Sequence, residues 1–246
     1  MSRLFPCKII RNSLHAFRFE PLNLAMKILE KQVHFSRKKQ GDNKVQSITN
    51  KVLSRIYGRG RGWAFSSNDF VDEFSRDQVD NALSDLTKDG KIRRVCRGIY
   101  DYPKYSVLLE QKLSPDFDQV ALAFARKFNW RIQPSGDAAL NLLGLSTQVP
   151  GRFVYLSDGP TRKYSISSYT LEFKKSALKD VGFKHRESGM IVQAIKALGK
   201  SHISIEIIES IRKQLDPRKC KQIIKDTKSV TSWIYNYIKQ ICLECE

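Results

Sequence analysis

SRDQVDNALSDLTKDGKIRRVCRGIYD, residues 75–101, carries a helix start, a stop and a hairpin in close succession. Ser75 is followed three residues later by Gln78, the spacing of a capping box, in which each side chain satisfies the other's free backbone N–H. Val79, Ala82, Leu83 and Leu86 then recur on one face at helical period. Asp89-Gly90 ends the helix, and Lys91–Cys96 and Gly98–Tyr100 flank Arg97-Gly98 as the arms of a hairpin with a basic tip. Working upstream, Ile48, Val52, Leu53 and Ile56 mark a helix that begins near Ser47 and stops at Tyr57-Gly58. Arg59-Gly60-Arg61-Gly62 is a loop, Trp63–Phe65 a short strand, and Ser66 or Ser67 the N-cap of a short helix holding Phe70, Val71 and Phe74.

Helix, strand, helix, helix, hairpin is the order of a winged helix-turn-helix, expected over residues 47–103. A helix fits the major groove of B-DNA, and arginines on a projecting hairpin neutralise phosphates or enter the minor groove. The expected DNA contacts are Arg59 and Arg61 in the loop, Arg76, Gln78, Asn81 and Ser84 on the third helix, and Arg93, Arg94 and Arg97 on the hairpin. Gln78 and Asn81 have the bidentate groups that pair with adenine. Residues 41–90 carry a net charge of −1, so the arginines must supply the affinity. The competing reading is a winged helix used for protein contact, its hairpin charges merely solvated.

The whole chain points the same way. It has 246 residues and a formal net charge of +18, which calls for a polyanionic partner. A hydrophobic fraction of 41% excludes a disordered chain, and a mean hydropathy of −0.41 excludes a polytopic membrane protein. No apolar run reaches the roughly 18 residues of a spanning helix, so no membrane partner is expected. The odd count of five cysteines suits a reduced, cytoplasmic setting. Residues 1–46 read as a flexible basic extension ending in the polar linker Arg37–Asn43; a transit peptide, a basic arm that contacts phosphates, or an over-extended start upstream of Met26 are the other readings.

Beyond Pro103, Val120, Ala121, Phe124, Ala125 and Phe128 predict a helix, and Trp130–Ile132 a short strand. Pro134–Asp137 turns into the apolar helix Ala138–Leu143, and Phe153–Leu156 and Tyr169–Phe173 are strands. Three stretches resemble the AbiEi-like antitoxin and transcriptional-regulator family of bacterial toxin–antitoxin systems: Arg97–Tyr100, the long run Pro134–Pro150, and Tyr155–Gly159. The similarity extends over residues 47–200, and the run Pro134–Pro150 is its most specific part. It implies a repressor whose winged helix binds operator DNA of its own operon, and a following domain that counteracts a nucleotidyltransferase-like toxin encoded beside it. It also implies no catalysis, cofactor or metal of the chain's own. The expected class is α+β: a winged helix-turn-helix at 47–103, a mixed α/β antitoxin domain at 106–200, and a helical section at 201–246.

The alternative activity is that of a metal-dependent nuclease with a DNA-binding head. Asp158, then Glu172 and Lys174, satisfies a loose pattern of two metal-holding carboxylates and a water-positioning lysine. The blander reading places Thr170, Glu172 and Lys174 on the wet face of a half-buried strand. His15, His34, His185 and His202 do not cluster with cysteines, and Cys242-Leu243-Glu244-Cys245 reads as a frayed tail with incidental thiols. In the last section Ile191, Ala194 and Ile195, then Ile207, Ile208 and Ile211, then Ile223, Ile234 and Ile238 mark core helices with lysine-rich outer faces.

Overall fold

A computed structural model describes residues 47–148 and 151–243. Expectations for residues 1–46, for the end of the Pro134–Pro150 run and for Cys245 lie outside the described residues. The Ser47 hydroxyl accepts from the Asn50 N–H and opens helix α1, Ile48–Arg59. Strand β1 (Ala64–Phe65) leads to a single 3₁₀ turn, Ser67–Phe70. A longer helix holding Val71 and Phe74 was expected there; instead the chain turns after Phe70, leaving Val71 exposed. Helix α2 (Arg76–Lys88) starts with the Ser75–Gln78 capping box in place and buries Val79, Ala82, Leu83 and Leu86. Strands β2 (Arg93–Cys96) and β3 (Ile99–Asp101) pair antiparallel, and β3 also pairs with β1, giving the sheet order β1-β3-β2. Val52, Ile56, Phe65, Phe70, Leu83 and Leu86 form the core beneath.

A second hairpin that the sequence does not announce follows, with β4 (Tyr105–Ser106) and β5 (Gln111–Lys112). Its tip exposes Val107 and Leu108, which are 83% and 92% accessible. Asp116 caps helix α3, Phe117–Phe128, through the Asp118 and Gln119 N–H groups. Strands β6 (Ile132–Pro134), β7 (Arg152–Ser157), β8 (Arg162–Ile166) and β9 (Tyr169–Lys175) form a sheet of order β6-β7-β9-β8, parallel only between β7 and β9. The edge strand β8 was not expected; Arg162, Lys163 and Ser165 leave too few apolar residues to reveal it.

One face of this sheet packs on α3, through Ile132, Tyr155, Ile166, Leu171 and Phe173. That core also takes in Ala64, Ile99, Val95 and Cys96 from the first sheet. On the other face, α4 (Gly136–Leu142) and α6 (Arg186–Leu198) cover β6 and β7, with α5 (Leu178–Val181) before α6. Gly189 of α6 lies directly against the Gln133 carboxamide, leaving no room there for a Cβ. Helices α7 (Ile205–Gln214), α8 (Cys220–Asp226) and α9 (Ser232–Leu243) close the third core around Ile195, Ile211, Ile223 and Ile238. Cys242 is 3% accessible within that core, so it is a packed residue and no part of a frayed tail. The described part is a mixed α/β protein.

Phe124 stacks on Tyr164 at 4.0 Å and meets Phe173 edge-on at 5.7 Å in the middle of the shared core. Phe124→Ala is expected to lower stability by about 3–5 kcal/mol, read as a shift in the denaturant midpoint. Asp226 accepts from the Lys184 and His185 N–H groups at 3.0 and 2.9 Å and so fixes the start of α6. Burial pushes its carboxyl up, but those two donors outweigh it and hold the group below its ordinary range. A depressed carboxyl stabilises above the unfolded value and loses that contribution as pH falls through the folded one. The melting-temperature gap between the wild type and Asp226→Asn should therefore be full at pH 7 and begin to close below about pH 4.

Candidate nucleic-acid interface

The N-terminus of α2 gathers the charge. Its first N–H groups and the positive end of the helix dipole lie beside Arg76, and Arg76 pairs only loosely with Asp80, at 3.8 Å with both side chains more than half exposed. The hairpin β2–β3 brings its tip to this end. Gly98 turns it with φ 73°, and a side chain there would collide with Lys127. Lys127, from the last turn of α3, donates to the Gly98 carbonyl at 3.3 Å. Arg94 and Arg97 are exposed and make no ion pair among the described residues. Burial lowers the Lys127 ammonium below the usual lysine range, and Arg76 and Arg97 push it down further while Asp80 opposes them. Asp77 and Asp80, in the first turns of the same helix, are the acids beside these cations. Arg76, Arg97 and Lys127 thus gather at the helix N-terminus, with Arg94 farther along the hairpin near Cys96, as a group that can seek an anion.

The other expected contacts divide. Asn81 and Ser84 lie exposed on the solvent face of α2, where a groove can reach them. Gln78 is occupied, because its Oε1 accepts from the Ser75 N–H at 3.1 Å and closes the capping box. Arg93 is also occupied: Nε and Nη2 donate to the Asp101 carboxylate at 3.0 and 2.6 Å, and Nη1 donates to the Leu113 carbonyl. Asp101 is 2% accessible, so Arg93 serves to satisfy a buried charge and is withdrawn from the phosphate-binding set. Arg59 lies over Trp63, and Arg61 lies over Tyr102 and donates to the Pro103 carbonyl. Both stand toward the end of β3 opposite Arg97, apart from the cluster.

Lys127 was missed because it arrives from a helix outside the 47–103 segment. The only sequence sign is an Arg126-Lys127 pair in a final turn, which complements a helix dipole equally well.

The nuclease carboxylates do not converge. Glu172 pairs in register with Val154, whereas Asp158 follows Ser157, which pairs with Lys175. Four residues of strand separate them, roughly 13 Å, too far to share a metal ion. Asp158 instead accepts from the Arg131 N–H at 2.8 Å. Glu172 is 4% accessible, flanked by Arg152 and Lys163 at 3.4 and 3.7 Å, and so is not on a wet face: β9 is an inner strand whose neighbours β7 and β8 supply those cations. Among the described residues no three His, Cys, Asp or Glu side chains come together as a metal site. No helix among them is long and apolar enough to cross a membrane.

Residues 51–223 match the model of a family described as a family of unknown function, DUF6088. The chain belongs to DUF6088. No curated protein matches it. Among solved structures, the RV2827C protein from Mycobacterium tuberculosis is similar with a TM-score of 0.37 and 13% identity, over 83% of this chain and 79% of that one. In the DUF6088 chain described here, the two adjacent hairpin arginines should behave oppositely. Arg93→Ala leaves Asp101 buried without its partner and is expected to cost about 2–3 kcal/mol in urea unfolding. Arg94→Ala should stay within about 0.5 kcal/mol of the parent.

Proposed function

We propose that residues 47–103 are a winged helix-turn-helix that binds operator DNA, and that the chain is a cytoplasmic autoregulating repressor and antitoxin. The observation that carries the DNA-binding part is the gathering of Arg76, Arg97 and Lys127 at the α2 N-terminus, with Arg94 exposed farther along the hairpin and Asn81 and Ser84 exposed on the same helix. α2 is the recognition helix and β2–β3 the wing. Two phosphates flanking a groove would occupy the helix N-terminus and the wing tip, and Asn81 would read a base edge. The antitoxin part rests on the resemblance of Pro134–Pro150 and Tyr155–Gly159 to the AbiEi-like family. Its partner would be a nucleotidyltransferase-like toxin encoded next to it. The separation of Asp158 from Glu172 gives the nuclease reading no support.

Titration of the purified chain on its own upstream DNA and on scrambled DNA, across salt concentrations, tests the repressor. Arg94→Ala, Arg97→Ala and Lys127→Ala should each weaken binding to both DNAs and make the salt slope shallower by about 1. Asn81→Ala should cost about 1–3 kcal/mol on the operator alone. Unchanged binding in all four variants would defeat the reading. Rescue of growth on co-expression with the adjacent toxin gene tests the antitoxin half separately.

A further inference from the structure

A cleft of about 550 Å³ opens between α3, β6 and the segment joining α5 to α6, a size ordinary for a site that takes a small organic ligand. Leu122, Ile132, Val181 and Phe183 supply an apolar floor. The rim carries Arg131, Lys184 and Arg186, and among the described residues no carboxylate lines the cleft. Neither Arg131 nor Lys184 makes a side-chain ion pair among the described residues. Arg186 pairs with Asp118, which stands behind the wall, is raised by burial, and also accepts from the Tyr155 hydroxyl at 3.0 Å. The carboxylates nearest these cations, Asp118 on Arg186, Asp158 on the Arg131 N–H and Asp226 on the Lys184 N–H, stand outside the lining, so the groups that face the cleft are the cations, and these suit a phosphate. The Asp118 contact also orients the Arg186 guanidinium, whose remaining N–H groups are free to fork onto phosphate oxygens.

An independent observation adds a demand on the rest of the ligand. Gln133 lines the same cleft, is 3% accessible, and its Oε1 has no hydrogen-bond partner. A buried acceptor without a donor costs about 1–3 kcal/mol, which a ligand bearing an N–H or O–H relieves. The occupant that suits this lining combines a phosphate, an apolar or planar body and a hydrogen-bond donor. We propose that this cleft is a binding site for a nucleoside phosphate: the phosphate is held by Arg131, Lys184 and Arg186, the base rests on the apolar floor, and a base amino group donates to Gln133. This site does not depend on the DNA-binding reading, since none of its lining residues belongs to the wing or to α2.

Calorimetric titration of the full-length chain with the four ribonucleoside 5′-monophosphates, the four nucleosides and inorganic phosphate tests it. At least one nucleotide is expected to bind at one site per chain. Its nucleoside and inorganic phosphate should each bind at least about tenfold more weakly, because each keeps only part of the contacts. Arg131→Glu and Lys184→Glu alter exposed side chains, so melting temperatures should stay at the parental value while affinity falls by about tenfold or more. The site is overturned if no nucleotide binds, if both variants bind as the parent does, or if inorganic phosphate alone matches the best nucleotide.

Discussion

A helix wedged between two sheets must be apolar on more than one side, and α3 meets that demand with Phe117, Val120, Ala121, Ala123, Phe124 and Ala125 all buried. The alanines let strands approach closely, and the phenylalanines fill the space that opens toward the larger sheet. On one flank sit Ala64, Ile99, Val95 and Cys96; on the other Tyr155, Ile166, Leu171 and Phe173. The polar ends of the helix work as hard as its middle. Asp118 anchors Tyr155 and Arg186, Arg126 grips the Asp69 carboxylate at 2.6 Å and the Ala64 carbonyl at 2.7 Å, and Lys127 reaches Gly98. One helix thus sets the position of the β2–β3 hairpin tip and forms a wall of the basic cleft.

Local signals in the sequence were reliable where a single element explained them. The capping box, the α2 apolar face and the hairpin around Arg97-Gly98 all appear as the spacing predicts. A Gln78 that closes a capping box cannot also offer both amide groups to adenine, a conflict that the Ser75–Gln78 spacing already contains. Regular pairing about the Arg97-Gly98 turn would set Arg94 opposite Asp101; the bulge between Arg94 and Cys96 shifts the register by one and brings Arg93 there instead, which no spacing in the sequence announces. Other features were out of reach. Lys127 enters the interface through tertiary packing, and Glu172 is covered because β8 folds back along β9, a strand whose own residues carry almost no apolar pattern.

The surplus of +18 is not spread evenly over function. Several cations are committed to carboxylates: Arg55 to Asp72, Arg93 to Asp101, Arg126 to Asp69 and Lys219 to Glu187. Their removal from the account matters more than the total. What remains free near α2 and near β6 is a small number of arginines and lysines held by rigid elements, and rigid placement is what distinguishes recognition from general attraction to polyanions.

The sharing of α3 has a consequence for modularity. In many regulators a DNA-reading head can be cut at a linker and grafted onto another effector. Here the first sheet lends Ala64 and Ile99 to a core whose other members lie beyond residue 115, and Arg126 ties the two halves across 57 residues of chain. Excising the head at Pro103 would strip one side of that sheet and expose its apolar residues. Residues 47–103 are therefore no detachable module, and a fragment meant to keep its first sheet covered must carry α3 with it.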